Sequence, residues 1–356
     1  MTQIPLPLIL QGVHGSPYTR KMLGLMRFRR LPYRFIIGVP GMAAMPGSGD
    51  TSQLPMPKIP LLPTYYLPGE HGELQAVTDS TPLIRRFEEA FAERSVIPAD
   101  PVMAFLNYLL EDYADEWLTR CMFHYRWYHD ADIEKAGSTL PFYNRVDLTP
   151  EMINSFKPEI IKRQVGRLHV VGSNDTTAPV IEASYLRFLQ LLDAHLQKRQ
   201  YLLGNRPASA DFAAMGQLTC LTHFDPTPMA LTVETSPRVY AWVERVEDLC
   251  GYEVKDSDWT PHDALPDTLL ALLREVARTH LPQMLANARA LASGQKHFET
   301  QIDGRSWTQP SFPYQGKCLK WTREEFARLS ADDQARTRDI LGQAELLPLI
   351  DEEVAA

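Results

Sequence analysis

The run Gly15-Ser16-Pro17-Tyr18-Thr19-Arg20-Lys21 sets three hydroxyls, with His14 just ahead of them, between an apolar stretch and a helical pattern. A serine before proline reads as a helix start, the serine capping and the proline filling the first position. A hydroxyl in that place has two uses. It can satisfy backbone N–H groups, or it can donate its own proton to an anion drawn to the helix N-terminus. Asp79-Ser80-Thr81-Pro82 is a second start of the same type. Further on, Tyr113, Trp117, Arg120 and His124 recur at three- and four-residue steps in LLEDYADEWLTRCMFHYRWYHD, near one helical face. By spacing alone they share a helix face that can fill an interdomain core or a dimer interface. His124 and His129 are five residues apart, off one face, so no metal site is expected.

The elements that must hold these groups alternate at first. A strand is expected over 6–11, a helix over 17–30 with basic residues on its outer face, and a strand over 33–37. A Gly-, Pro- and Met-rich loop over 39–57 follows, where no periodicity supports a helix. Stretches 59–67 and 73–77 flank PGEHG as an antiparallel hairpin. After residue 98 helical patterns dominate, at 102–130, 182–198, 211–223 and 238–250. The last hundred residues hold a helix over 265–293, a hairpin turning at Asp303-Gly304 and a helical tail from 322. This divides the chain into 1–97, 98–258 and 259–356, an α/β unit, an all-α unit and a C-terminal extension of unassigned role.

Order and spacing of these pieces resemble the glutathione S-transferases. The turn Ser16-Pro17-Tyr18-Thr19 stands where the related glutaredoxin turn has Cys-Pro-Tyr-Cys, so disulfide exchange through the protein's own thiols is not expected. The segment Lys58-Ile59-Pro60-Leu61-Leu62, the pair Asp79-Ser80 and the later stretch Leu203-Gly204-Asn205-Arg206-Pro207-Ala208-Ser209-Ala210-Asp211-Phe212 carry the rest of the resemblance, over about 250 of 356 residues. It implies a thioredoxin-like N-terminal domain followed by a helical domain. It also implies glutathione as co-substrate, a small electrophile as second substrate, a homodimer, and no metal. Ser16 would face the thiolate, with Tyr18 the alternative and Thr19 and His14 weaker ones. A cis Ile59-Pro60 bond would turn the Ile59 backbone toward the cysteinyl part, Asp79 and Ser80 would take the γ-glutamyl end, and Lys58 the other carboxylate. Tyr113, Trp117 and Arg120 would line the electrophile pocket. Ala208 stands where the family has a Ser or Thr cap, so that cap is weakened or moved to Ser209. A glutathione-transferase-like fold kept for binding or assembly is the second reading.

Composition narrows the partners. Thirty-six Lys and Arg against 44 Asp and Glu give a net charge of −8, which disfavours nucleic acid and anionic membranes. No stretch reaches the roughly 20 apolar residues of a span, and a cytoplasmic protein is expected. Four scattered cysteines without a Cys-x-x-Cys pair read as buried reduced thiols.

Overall fold

The computed structural model describes residues 4–41 and 51–352. Strand β1 (Leu8–Gly12) runs parallel to β2 (Tyr33–Ile37), the helix α1 (Pro17–Phe28) crossing between them. On its other side β1 pairs antiparallel with β3 (Thr64–Pro68), and β3 pairs antiparallel with β4 (Leu74–Val77), giving the order β2-β1-β3-β4. Helix α2 (Ser80–Ala90) follows β4. This is a thioredoxin-like sheet. Between β2 and β3 the described residues form no helix, and the centre of the expected loop, 42–50, lies outside them.

Two expectations about β3 are corrected. It starts at Thr64 rather than at 59, because Pro60 and Pro63 cannot donate to a ladder. The cis X–Pro bonds among the described residues are Leu6–Pro7 and Leu62–Pro63, not Ile59–Pro60. The Ile59 carbonyl accepts the Leu61 N–H at 2.8 Å, so it does not face outward for a peptide ligand.

The helical domain opens with α3 (Pro101–Tyr113), a π-helical turn (Ala114–Leu118) and α4 (Thr119–Tyr128), one long rod with a widened waist. Helices α5 (Asp130–Thr139), α6 (Pro150–Val165) and α7 (Ala178–Leu196) follow, then α8 (Ser209–His223), α9 (Pro226–Thr235) and α10 (Pro237–Glu247). Of these α5, α6 and α9 carry no expectation above. Residues 209–222 of α8 are all buried, and α1 packs along it, so the two domains share an interface through Gly24, Met215 and Gly216. Asp211 accepts the N–H groups of Ala208 and Leu202, both at 2.8 Å. The cap has not moved to Ser209, whose hydroxyl donates to Glu111 instead at 2.6 Å.

The extension folds back over the helical domain. Helix α11 (Asp267–Ala292) packs on α7; a hairpin of β5 (His297–Ile302) and β6 (Arg305–Pro310) turns at Asp303 and Gly304, both at positive φ as a two-residue hairpin requires. Helix α12 (Pro313–Ala327), which begins nine residues before the expected tail, lies against α3 and α11, and α13 (Ala331–Gln343) and α14 (Pro348–Asp351) close the chain. One buried cluster runs through all three segments, from Leu8 through Leu218 to Trp307. Cys121, Cys220 and Cys318 are buried, whereas Cys250 is exposed, contrary to expectation.

Candidate active site

Strand direction brings the pieces together. Strands β1 and β4 run the same way and β3 the opposite way, with Gln11 beside Thr64 and Tyr65 beside Val77. The turn after β1, the residues before β3 and the turn after β4 therefore leave the sheet at one edge. That edge holds the N-termini of α1 and α2 with their first-turn N–H groups, and Leu62 between them.

At the first N-terminus Ser16 is half-buried, in extended conformation, and its Oγ accepts the Thr19 N–H at 3.3 Å. The cap uses a lone pair, so the hydroxyl proton stays available to an anion. Gly12 makes the turn possible, since a Cβ there would stand 2.6 Å from Thr19 Oγ1. Tyr18 points elsewhere: its hydroxyl donates to the Asp115 carbonyl of the π turn at 2.6 Å and meets Thr119 Oγ1, at the start of α4, at 2.9 Å. His14 packs edge-on against Phe35, and burial lowers its pKa. The turn's flank toward the helical domain is covered by half-buried Leu140 and Tyr143, 2.9 and 3.4 Å from where a Gly15 Cβ would be.

At the second N-terminus Asp79 has φ 80° and ψ 109°, a conformation a non-glycine residue rarely holds. Its carboxylate accepts the Tyr314 hydroxyl at 2.9 Å, and burial pushes its pKa up. Ser80 Oγ accepts Lys21 Nζ at 3.0 Å. Lys21, expected on the outer face of α1, is instead 1% exposed and also binds Glu111 Oε1 at 2.9 Å and Asp115 Oδ2 at 2.5 Å. Arg85 holds the other Glu111 oxygen at 2.7 Å, so two cations face two carboxylates. Burial drives Asp115 upward against the pull of Lys21, while Arg85 and Lys21 outweigh burial at Glu111 and hold it down at about 2. Lys21 thus holds the Ser80 hydroxyl in place with its charge matched by Glu111 and Asp115, and the first-turn N–H groups of α2 are what favours an anion at this end.

Lys58, Ile59 and Pro60 are exposed, Ile59 to 61%. Two residues before β3, across the cis bond to Pro63, Leu62 has an N–H and a C=O that make no backbone hydrogen bond among the described residues. The three expected pocket residues are not at this edge's surface. Tyr113 is 3% exposed, and Trp117 and Arg120 are fully enclosed. Tyr113 lies against Phe188 and His280, Trp117 donates to Ser184 at 3.0 Å, and Arg120 donates to Gln309 and the Val171 carbonyl, both at 2.8 Å. The extension supplies His280, Trp307 and Gln309, which enclose these three side chains.

Lys21, Arg85, Glu111, Asp115 and Tyr314 were missed from the sequence. Glu111 and Asp115 gave a signal: two carboxylates four apart in an apolar, aromatic helix need a buried cation.

Residues 10–95 match the N-terminal domain model of glutathione S-transferase, and residues 180–249 match the C-terminal domain model. Among solved structures, a GST-like protein from Pseudomonas syringae is 15% identical, over 67% of this chain and 66% of that one, with a TM-score of 0.42. A glutathione S-transferase from Methylobacterium radiotolerans, in complex with glutathione sulfonate, is 17% identical over 67% of this chain and 90% of that one, with a TM-score of 0.40. One from Rhodospirillum rubrum is 18% identical over 71% and 96%, with a TM-score of 0.37. No curated relative matches the sequence. With both domain models matched in order, the first on the sheet and its helices and the second on α7 to α10, the chain belongs to the glutathione S-transferase family.

Proposed function

We propose that the chain binds glutathione along the sheet edge that carries Ser16, Leu62 and Asp79-Ser80, and presents its thiolate to a small electrophile. The observation that carries this reading is the common edge set by strand direction: two helix N-termini and one unpaired backbone segment between them. Leu62 pairs its N–H and C=O with the cysteinyl backbone as an added strand would, in the place expected of Ile59. Ser80, with Lys21 behind it, takes the γ-glutamyl carboxylate, and Asp79 the amine.

Ser16 then donates its free hydroxyl proton to the sulfur. Lowering a thiol from about 8.5 to about 6.5 needs roughly 2.7 kcal/mol of anion stabilisation. A hydrogen bond to a charged group gives roughly 1.5–3 kcal/mol and a helix N-terminus roughly 0.3–2. The reaction is attack by the bound thiolate, which the protein promotes by positioning and anion stabilisation. The electrophile approaches over Leu140 and Tyr143, the apolar flank of the Ser16 turn. A homodimer belongs to the same reading, and light scattering of the purified chain checks it.

The non-catalytic reading has one observation in its favour: Tyr314 already occupies an oxygen of Asp79. Thermal shift with glutathione, followed by thiolate absorbance of the complex, separates the two. Catalysis requires binding and a lowered thiol pKa that returns toward about 8.5 in Ser16→Ala. Binding with an unaltered thiol favours the non-catalytic reading, and no binding removes both.

A further inference from the structure

A cluster remote in role from the sheet edge joins His124, His129 and Glu182. Helix α4 stops at Tyr128, and His129 links it to α5 in extended conformation, φ −95° and ψ 135°. Five-residue spacing therefore never has to act along one helix. The turn folds the His129 ring back to 5.5 Å from that of His124, at 81°. From α7, Glu182 Oε1 reaches 3.3 Å from His124 Nε2 and 3.2 Å from His129 Nε2, and one donor atom from each residue falls within 4.8 Å of the others.

Three features separate this cluster from an ordinary surface ion pair. His124 is fully buried, with Nδ1 on Ser173 Oγ at 2.8 Å and Tyr128 stacked on it at 4.5 Å, so its Nε2 is aimed by its neighbours. Tyr125 stacks on His129 at 5.5 Å and 28°, fixing the second ring. The His129 Nε2 is shut off from solvent yet makes no hydrogen bond, despite lying 3.2 Å from a carboxylate oxygen. A buried nitrogen this close to a carboxylate oxygen but out of hydrogen-bond alignment with it leaves its lone pair for a centre shared with Glu182 and His124.

We infer that His124, His129 and Glu182 form a binding site for a divalent first-row transition metal, with Zn²⁺ as the reference ion. Bonds of about 2.0–2.1 Å in a tetrahedron set donor atoms roughly 3.3 Å apart, the spacing Glu182 keeps to both imidazoles. Two imidazoles and one carboxylate leave a further position for water, and the Ser173 bond to His124 is the outer contact that such ligands carry. The ion would join the α4–α5 turn to α7. It is independent of glutathione binding.

Calorimetric titration of the full-length chain with Zn²⁺ alone tests this. One equivalent should bind at micromolar or tighter Kd, with a rise in Tm. Glu182→Gln and the half-exposed His129→Ala should each weaken binding at least 10-fold while keeping the wild-type circular dichroism. Cys250→Ser, at the exposed thiol, should leave affinity unchanged. Co²⁺ in place of zinc should give visible ligand-field bands without thiolate charge transfer. Absence of stoichiometric binding, or equal affinity in wild type, Glu182→Gln and His129→Ala, would overturn the site.

Discussion

Ser16 and Tyr18 stand two residues apart and differ in where their protons go. Ser16 accepts from Thr19 and keeps a proton to give, whereas the Tyr18 hydroxyl is committed to the Asp115 carbonyl. Ser16→Ala should lower kcat/KM by about 10²–10³, the cost of one lost donor to a developing anion, and lower stability by about 1 kcal/mol through the cap. Tyr18→Phe should leave kcat/KM within about twofold and cost roughly 1–2 kcal/mol in denaturant unfolding, because the Asp115 carbonyl loses a partner. Reversal of these two patterns would transfer the thiol to Tyr18.

At the scale of elements, α1, α2 and the α3–π–α4 rod are tied by one buried ammonium. Lys21→Met leaves Glu111 and Asp115 short of a counter-charge and should cost about 3–5 kcal/mol, read as a fall in the urea midpoint. The waist of the rod also carries Glu116, half-buried and bound by Gln315 at 3.1 Å, whose pKa burial pushes up to about 8. The folded state thus holds this proton more tightly than the unfolded chain, where the group titrates near its ordinary value. Its contribution is complete below about pH 4.5 and is lost as pH rises through about 8. Glu116→Gln should therefore match the wild-type Tm near pH 4.5 and exceed it by about 2–4 °C at pH 9. Parallel Tm curves would mean an ionised Glu116 throughout.

For the molecule as a whole, the extension decides how open the sheet edge is. Its Tyr314 bonds Asp79, and its Trp307, Gln309 and His280 enclose the aromatic face of the rod. Tyr314→Phe releases a carboxylate oxygen for the γ-glutamyl amine and should tighten glutathione about three- to tenfold by calorimetry, a gain of roughly 0.7–1.4 kcal/mol. Weaker binding would instead make the Tyr314 hydroxyl part of the ligand's support. Among the described residues no helix is long and apolar enough to cross a membrane.

Local signals were enough for the first strands and helices, while α5, α6 and α9 gave none that was read. Ser16-Pro17 and Asp303-Gly304 carry their own cap and turn chemistry, and the kinship of residues 10–95 and 180–249 was readable, whereas Asp79 starts α2 without a side-chain cap, its carboxylate bound by Tyr314 instead. Register was less legible: the strand is expected from 59 and the cis bond at Ile59-Pro60, whereas β3 starts at Thr64, where it pairs with β1, and the cis bond is Leu62–Pro63. Capping at Ala208 was half legible, because Asp211 shows in the sequence while the diversion of Ser209 to Glu111 needs α3 beside it. Amphipathic spacing says that a face is buried, never by what. Burial of Lys21 among carboxylates, enclosure of Trp117 and Arg120 by a segment nearly 200 residues on, and the meeting of His124, His129 and Glu182 across a helix end depend on contacts between distant elements, which tertiary packing alone sets.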